Sequence, residues 1–195
     1  MIDHGADDRY DEHRAERHRG RHGSQDGETG GGPAGDVHLT ATIRGDVVCE
    51  PGASIDVGAV IEGPTLVRSG ASVGPNAYVR GATLIGPNAH VGHAAEIKNS
   101  VVMADASVGH LSYVGDSVIG PRVNLGARTN VENLRHDGEP VTLEVKGERT
   151  ATERRKFGAV LGPDVKTGIQ TSINAGVTLS GSTRTDLGEI VTRDR

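Results

Sequence analysis

Aromatic side chains are nearly missing from this chain: they make up 2% of its 195 residues, with no Trp, one Phe and three Tyr. A conventional core of this size leans on such rings, so something else must fill the interior. Cysteine occurs once, which excludes an intrachain disulfide framework and a Cys-based zinc site. No apolar run approaches the roughly 18 residues that mark a membrane span. The opening MIDHGADDRY has no secretory hydrophobic region. Positive charge is not in excess either, since 21 Lys and Arg face 26 Asp and Glu for a formal charge of -5. Nucleic acid and anionic membranes are therefore not expected partners, and a soluble cytoplasmic protein is. Glycine is what the chain has in quantity, 29 residues, about twice the usual share.

The length suits one domain, or one domain with a tail. Residues 1–36 hold nine acidic residues, five Arg and four His and close on GETGGGPAGD. So little apolar surface cannot offset the entropy of ordering the segment, which reads as a disordered spacer. His13, His18 and His22 are spaced so that a helix could share a metal between two of them. No acidic or Cys ligand stands at diagnostic spacing, so the expectation is a solvated polyampholyte and no metal.

From Val37 an aliphatic residue recurs every six positions: Val37, Ile43, Cys49, Ile55, Ile61, Val67, Val73, Val79, Ile85, Val91 and Ile97. The series runs on through Val102, Val108, Val114, Ile119, Leu125 and Val131, with two steps shortened to five. Small or β-branched residues such as Ala53, Ala59, Thr65 and Ala71 sit four positions after each slot, and Gly, Asn, Asp and Pro crowd between. A period of six is neither helical nor hairpin-like. Three hexads close one triangular coil of short parallel strands, and coils stack at about 4.8 Å so that each backbone ladder is satisfied by its neighbours. The interior becomes a column of Ile and Val, which accounts for a core without rings. The repeat breaks after Val131 and resumes at Leu161, Thr167, Ile173 and Leu179, giving about seven coils over residues 37–195. Within the excursion at about 132–158, Val141, Leu143 and Val145 alternate with polar residues, so a strand or hairpin should project there.

Coil length converts spacing into geometry. Arg80 and Lys98 are 18 residues apart, each one past a slot, and stack on one face. His93 and His110, 17 apart, and Glu96, Tyr113 and Asn130, again 17 apart, form two further columns. Two neighbouring cations suit an anion such as phosphate, and would also hold a nearby imidazole neutral, as a general base requires. The competing expectation is an ordinary solvated face.

The run VGHLSYVGDSVIGPRVNLGART at 108–129, with EIK twelve residues before its His, NLR at 133–135 and RRKFGAVLG at 154–162, resembles the left-handed β-helix domain of glucosamine-1-phosphate N-acetyltransferases. That domain is commonly the C-terminal half of bifunctional sugar-1-phosphate nucleotidylyltransferases, and the archaeal-type versions match best. The resemblance implies an all-β, left-handed parallel β-helix. It implies acetyl transfer from acetyl-CoA to the amine of a hexosamine 1-phosphate, with sites between subunits of a homotrimer and no metal. Carried over position by position, the catalytic base falls on His110 and the phosphate ligands on Arg80 and Lys98. Sugar contacts fall on Glu96, Tyr113, Asn124 and Asn133, and the backbone amide facing the thioester falls at Ala127.

The chain also departs from the pattern. Glu139 stands where many relatives carry a substrate-binding Lys, with Lys146 or Lys156 as possible substitutes from the excursion. The chain ends soon after VTRDR, without the C-terminal extension that helps some relatives hold coenzyme A. Thr167 and Thr185 occupy aliphatic slots, which suggests loose terminal coils. Only 36 residues precede the rod, so nucleotidyl transfer is not expected. Two other readings compete. One is a non-catalytic trimeric scaffold or partner subunit of a separate nucleotidyltransferase, which Glu139 and the short C-terminus support. The other is a metal hydratase of the γ-carbonic-anhydrase kind using His90, His93 and His110, whose spacing is wrong for that family's ligand motif. His38 and His136 read as surface residues, Tyr78 as a ring packed at an outer corner, and Phe157 as an anchor of the excursion.

Overall fold

A computed structural model describes residues 35–195. Of the expected tail at 1–36, residues 1–34, with His13, His18 and His22, lie outside those residues. The rod begins slightly before the boundary at 37, since the first strand is Asp36–Val37.

The chain winds into a parallel β-solenoid with three faces of six, eight and seven strands. The first face runs from Asp36–Val37 to Asn124–Leu125, the second from Thr42–Arg44 to Ile190–Val191, and the third from Val47–Cys49 to Thr178–Leu179. Slots named from the sequence pair with their counterparts one coil on, as Ile55 with Val73, Ile97 with Val114 and Cys49 with Val67. The slot residues and the alanines two positions before them form one continuous core, with Ile61, Val79, Ile85, Ile97 and Ile119 fully buried. Stacked aliphatics replace aromatic bulk, each coil adding one layer of three side chains to the column.

The expected seven coils prove too few. That count stopped at Leu179, whereas Ile173 also pairs with Val191 on an eight-stranded face, and Val191 is fully buried. The polar slots are not loose in the way their chemistry suggests. Thr167 Oγ1 accepts from the Gly126 N–H at 2.9 Å and shares a 2.8 Å bond with Thr129 Oγ1. Thr185 Oγ1 bonds the Gly168 N–H and Thr171 Oγ1 in the same manner. A hydroxyl bonded on both sides can sit in a core slot at little cost.

Most corners turn through one left-handed residue. At the corner between the second and third faces these are Gly81, Asn99 and Asp116 in successive coils. Both five-residue steps fall here, and serines fill the tighter bend. Ser100 Oγ donates to Lys98 O and accepts the Ser117 N–H, while Ser117 Oγ donates to Gly115 O and accepts the Ala159 N–H. The expected projection is a hairpin of Thr142–Val145 and Glu148–Ala151, anchored by buried Val141.

Candidate active site

The second face carries most of the residues singled out from the sequence. Its strands Tyr78–Arg80, Glu96–Lys98 and Tyr113–Gly115 bury their central residues Val79, Ile97 and Val114. Strand alternation therefore turns the flanking residues outward. Pairing puts Arg80, Lys98 and Gly115 in one outer column and Tyr78, Glu96, Tyr113 and Asn130 in the other. The stacking read from coil length is thus present, residue for residue. Tyr78 differs from expectation: it opens a strand instead of sitting at a corner, donates its OH to Glu62 Oε2 at 2.9 Å, and lies under the Arg80 guanidinium.

The two cations are not a free pair. Arg80 gives both Nε and Nη2 to Glu96 Oε1, at 2.9 and 2.7 Å, and that carboxylate holds its pKa above the usual guanidinium value. Lys98 Nζ lies 2.7 Å from Asp116 Oδ2. Asp116 went unread in the sequence. It is buried, takes Asn99 Nδ2 on Oδ1 at 2.8 Å, and takes Asn133 Nδ2 beside Lys98 on Oδ2. Asn133 also donates to the Tyr113 OH at 3.0 Å. Burial raises the Tyr113 phenol pKa, and the nearby Glu96 and Asp116 carboxylates raise it further. Arg80, Glu96, Lys98, Tyr113 and Asn133 thus form one patch with Asp116 at its base. Gly115 keeps the patch open, because a Cβ there would lie 2.4 Å from the Tyr113 hydroxyl and 2.6 Å from Asn133 Nδ2.

His110 stands apart from that patch, at the preceding corner, three residues before Tyr113. Along the chain that is at most about 11 Å. Its ring is exposed and makes no side-chain hydrogen bond among the described residues. Pairing of Val91, Val108 and Leu125 puts His93, His110 and Ala127 at the same corner on consecutive rungs. His93 Nδ1 is occupied by Pro75 O at 3.1 Å. The main-chain N–H of Ala127 enters no hydrogen bond among the described residues. Leu111, directly after His110, is held left-handed at φ 59°, a strained state for a branched side chain, and its N–H bonds His93 O at 3.0 Å. Asn124 lies on the first face, paired with Ser107 and bridged to Lys166, so it belongs to neither group.

The excursion returns toward the patch. The Phe157 N–H donates to Asn133 O at 3.0 Å, and Leu134 bridges Lys156, so Lys156 lies beside Asn133 while Lys146 sits at the hairpin turn. Glu139 is exposed, its N–H bonded to Asp137 Oδ1. His136 is fully exposed at 3.4 Å from Glu132, and the His38 ring bonds its neighbour Thr40. A polar hollow of about 570 Å³ lies beneath the hairpin, lined by Glu132, Arg135, His136 and Arg149 among others, and none of the sequence-derived site residues lines it. His90 takes Ser72 Oγ at 2.8 Å on the first face, and no cluster with metal-binding composition occurs among the described residues.

One feature of the His110 corner was not foreseen. The position two past each first-face slot is filled in turn by Leu39, Val57, Pro75, His93, His110, Ala127, Ile169 and Leu187. Leu39 is 90% exposed, Ile169 50% and Leu187 74%. An apolar ridge therefore runs along the rod with the two imidazoles in its middle, more apolar surface in one line than a solvated edge requires. Its signal in the sequence is the recurrence of apolar residues one coil apart at this corner position.

Residues 61–175 match the GMPPB C-terminal domain family. Over 101 residues the chain is 46% identical to the bifunctional protein GlmU of Methanococcus vannielii, covering 52% of this chain and 24% of that protein. It is likewise 46% identical over 101 residues to a bifunctional sugar-1-phosphate nucleotidylyltransferase/acetyltransferase of Sulfurisphaera tokodaii, covering 52% of this chain and 25% of the relative. With GlmU of Methanococcus maripaludis it shares 43% identity over 161 residues, 83% of this chain and 39% of the relative. The chain thus matches well under half the length of these relatives.

Proposed function

This chain belongs to the GMPPB C-terminal domain family, and from that premise we propose that it transfers an acetyl group from acetyl-CoA to the amine of a hexosamine 1-phosphate, glucosamine or galactosamine 1-phosphate. Its hexapeptide-repeat β-helix is homologous to the C-terminal acetyltransferase part of the archaeal bifunctional enzymes. The observation that carries the reading is the placement of an unengaged imidazole, His110, and the unused Ala127 N–H on consecutive rungs of the corner that precedes the Arg80–Glu96–Lys98–Tyr113–Asn133 patch.

In this reading the acceptor amine approaches the His110 corner while its sugar and phosphate lie over the second face. His110 takes the amine proton as nitrogen attacks the thioester carbonyl; the C–N bond forms, the C–S bond breaks, and coenzyme A leaves as the thiol. The Ala127 N–H meets the oxygen on which charge develops. Arg80 and Lys98 remain competent for phosphate despite their carboxylate partners. Arg80 keeps Nη1 unengaged, and Lys98 has given one of its three protons. Tyr113, Glu96, Asn133 and Asn124 then contact the sugar, with Asn124 reached round the corner on the first face.

A flat face gives no deep cleft, and the apolar ridge supports a homotrimer in which a neighbour's ridge walls the site. A second reading, a non-catalytic trimeric scaffold or partner of a separate nucleotidyltransferase, draws support from the neutralisation of both cations by Glu96 and Asp116. Thiol release from acetyl-CoA with each sugar phosphate separates the two. Turnover that falls by about 10²–10⁴-fold in His110→Ala, the range for losing a general base, supports the enzyme. A wild-type protein that binds no coenzyme A and releases no thiol supports the scaffold.

A further inference from the structure

Asp116, at the corner that follows the second face, is heavily engaged. Its side chain is 7% exposed, against 17% for Lys98. Its two oxygens serve three donors: Asn99 on Oδ1, and Lys98 and Asn133 on Oδ2. Its main chain is equally committed, since its N–H donates to Lys98 O and its carbonyl accepts the Gly158 N–H at 2.9 Å. Asn133 lies where the excursion leaves the rod and Gly158 where it returns, so one residue grips both ends.

The corner itself does not ask for a carboxylate. Gly81 and Asn99 turn the same corner in the two preceding coils with φ of 69° and 48°, and Asp116 does so at 50°. Asn is as well suited to that backbone as Asp. What separates Asp from Asn at this place is acceptor capacity. A carboxylate offers two accepting oxygens, while an amide offers one and turns its other atom into a donor facing donors. Burial alone would raise the Asp116 pKa, yet the bonds from Lys98, Asn99 and Asn133 prevail and lower it. The ionised form is therefore the one that the site holds.

We infer that Asp116 is a positioning residue: its buried carboxylate fixes the Lys98 ammonium and the Asn133 amide in the arrangement in which they receive the acceptor, and couples that arrangement to closure of the excursion. The inference rests on the acceptor-binding reading of Lys98 and Asn133. Asp116 itself touches neither reactant. With two of its donors fixed, the remaining protons of Lys98 and the Tyr113 hydroxyl are the groups left to face outward.

The test uses the full chain with Asp116→Asn, Lys98→Met and the double variant. Removing a buried charge-assisted partner changes KM for the sugar phosphate by roughly 10–100-fold, with KM for acetyl-CoA unchanged within about twofold. The double variant should be little worse than Lys98→Met alone, because the effect of the carboxylate on phosphate binding passes through the ammonium. Multiplied penalties, or equal rises in both KM values, would overturn the inference in favour of general structural damage. A second readout needs no turnover: acylation of Lys98 by an amine-directed reagent, followed by peptide mass analysis. Labelling should quicken severalfold in Asp116→Asn while Lys146 and Lys156 label as before, and unchanged Lys98 labelling overturns the inference outright. If wild-type protein turns over neither sugar, the proposed function fails, and the acceptor part of this inference fails with it. The labelling result then still decides whether Asp116 holds Lys98.

Discussion

Gly158, where the repeat resumes after the excursion, is the position at which one added methyl should do most harm. A Cβ there would stand 2.1 Å from Ser117 Oγ, 2.2 Å from Gly115 O and 3.2 Å from a Val131 methyl. The carbonyl belongs to a paired strand and the hydroxyl is bonded on both sides, so neither can yield cheaply. Overpacking of this kind costs about 1–3 kcal/mol. Relief by displacement breaks Gly158 N–H to Asp116 O and Ala159 N–H to Ser117 Oγ, each worth about 0.5–1.5 kcal/mol. Clash and lost bonds are alternatives in part, so a net of about 3 kcal/mol is expected for Gly158→Ala, or roughly 150-fold in a local opening equilibrium. Coils touch only their neighbours, so the loss should fall at the junction of Val118–Ile119 with Val160–Leu161. Native-state hydrogen exchange should then accelerate by about that factor in peptides from 159–191 and change little in 36–100. Gly138→Ala, left-handed at φ 74° with open space around it, is the control and should cost only about 1–2 kcal/mol, confined to the excursion. Acceleration of less than tenfold, or one spread evenly along the rod, would refute the argument.

Two further outcomes follow from other parts of the molecule. The pKa of Asp116 is lower folded than unfolded, so its contribution is complete above the unfolded value of about 3.9 and is lost as pH falls through the lower folded value. Acid unfolding below about pH 4 should consequently be steeper in wild type than in Asp116→Asn; equal slopes would count against the hydrogen-bonded carboxylate. At the ridge, Ile169→Glu places a charge on a half-exposed apolar position, and should reduce the mass by light scattering from a trimer toward the 20.3 kDa of one chain while circular dichroism stays unchanged. A wild-type monomer, or a trimer that survives the substitution, would remove the ridge from the interface.

The fold was legible because its signal is repeated. One buried Val in six is weak, but the slots from Val37 to Val131 agree in period, and a solenoid leaves no other way to bury them. The polar repeats were harder to read. Thr167 and Thr185 looked like defects because their hydroxyls were weighed alone, whereas each is bonded by a neighbouring rung's N–H and by a second threonine. The coil count falls short because Thr185, bonded to Gly168 and Thr171, and Val191, paired with Ile173, carry the core past Leu179.

The site was legible only in part, and the division has a physical cause. Residues at the same place on successive rungs can be found by arithmetic, which is how Arg80 with Lys98, and Glu96 with Tyr113, were brought together. Hydrogen bonds between different columns cannot be found that way. Asp116 sits at a corner, and its bond to Lys98, whose rung partner is Gly115, crosses from one column to the next. A clue was nonetheless present: two consecutive coils shorten at the same corner and place Asn99 and Asp116 17 apart, a departure from regularity that a uniform rod would not need. The consequence reaches the chemistry. Two cations stacked on a face would be a ready anion site, but Glu96 and Asp116 cancel their charge. What remains is directional N–H donors held in fixed positions, so selectivity on this face should come from geometry more than from net charge.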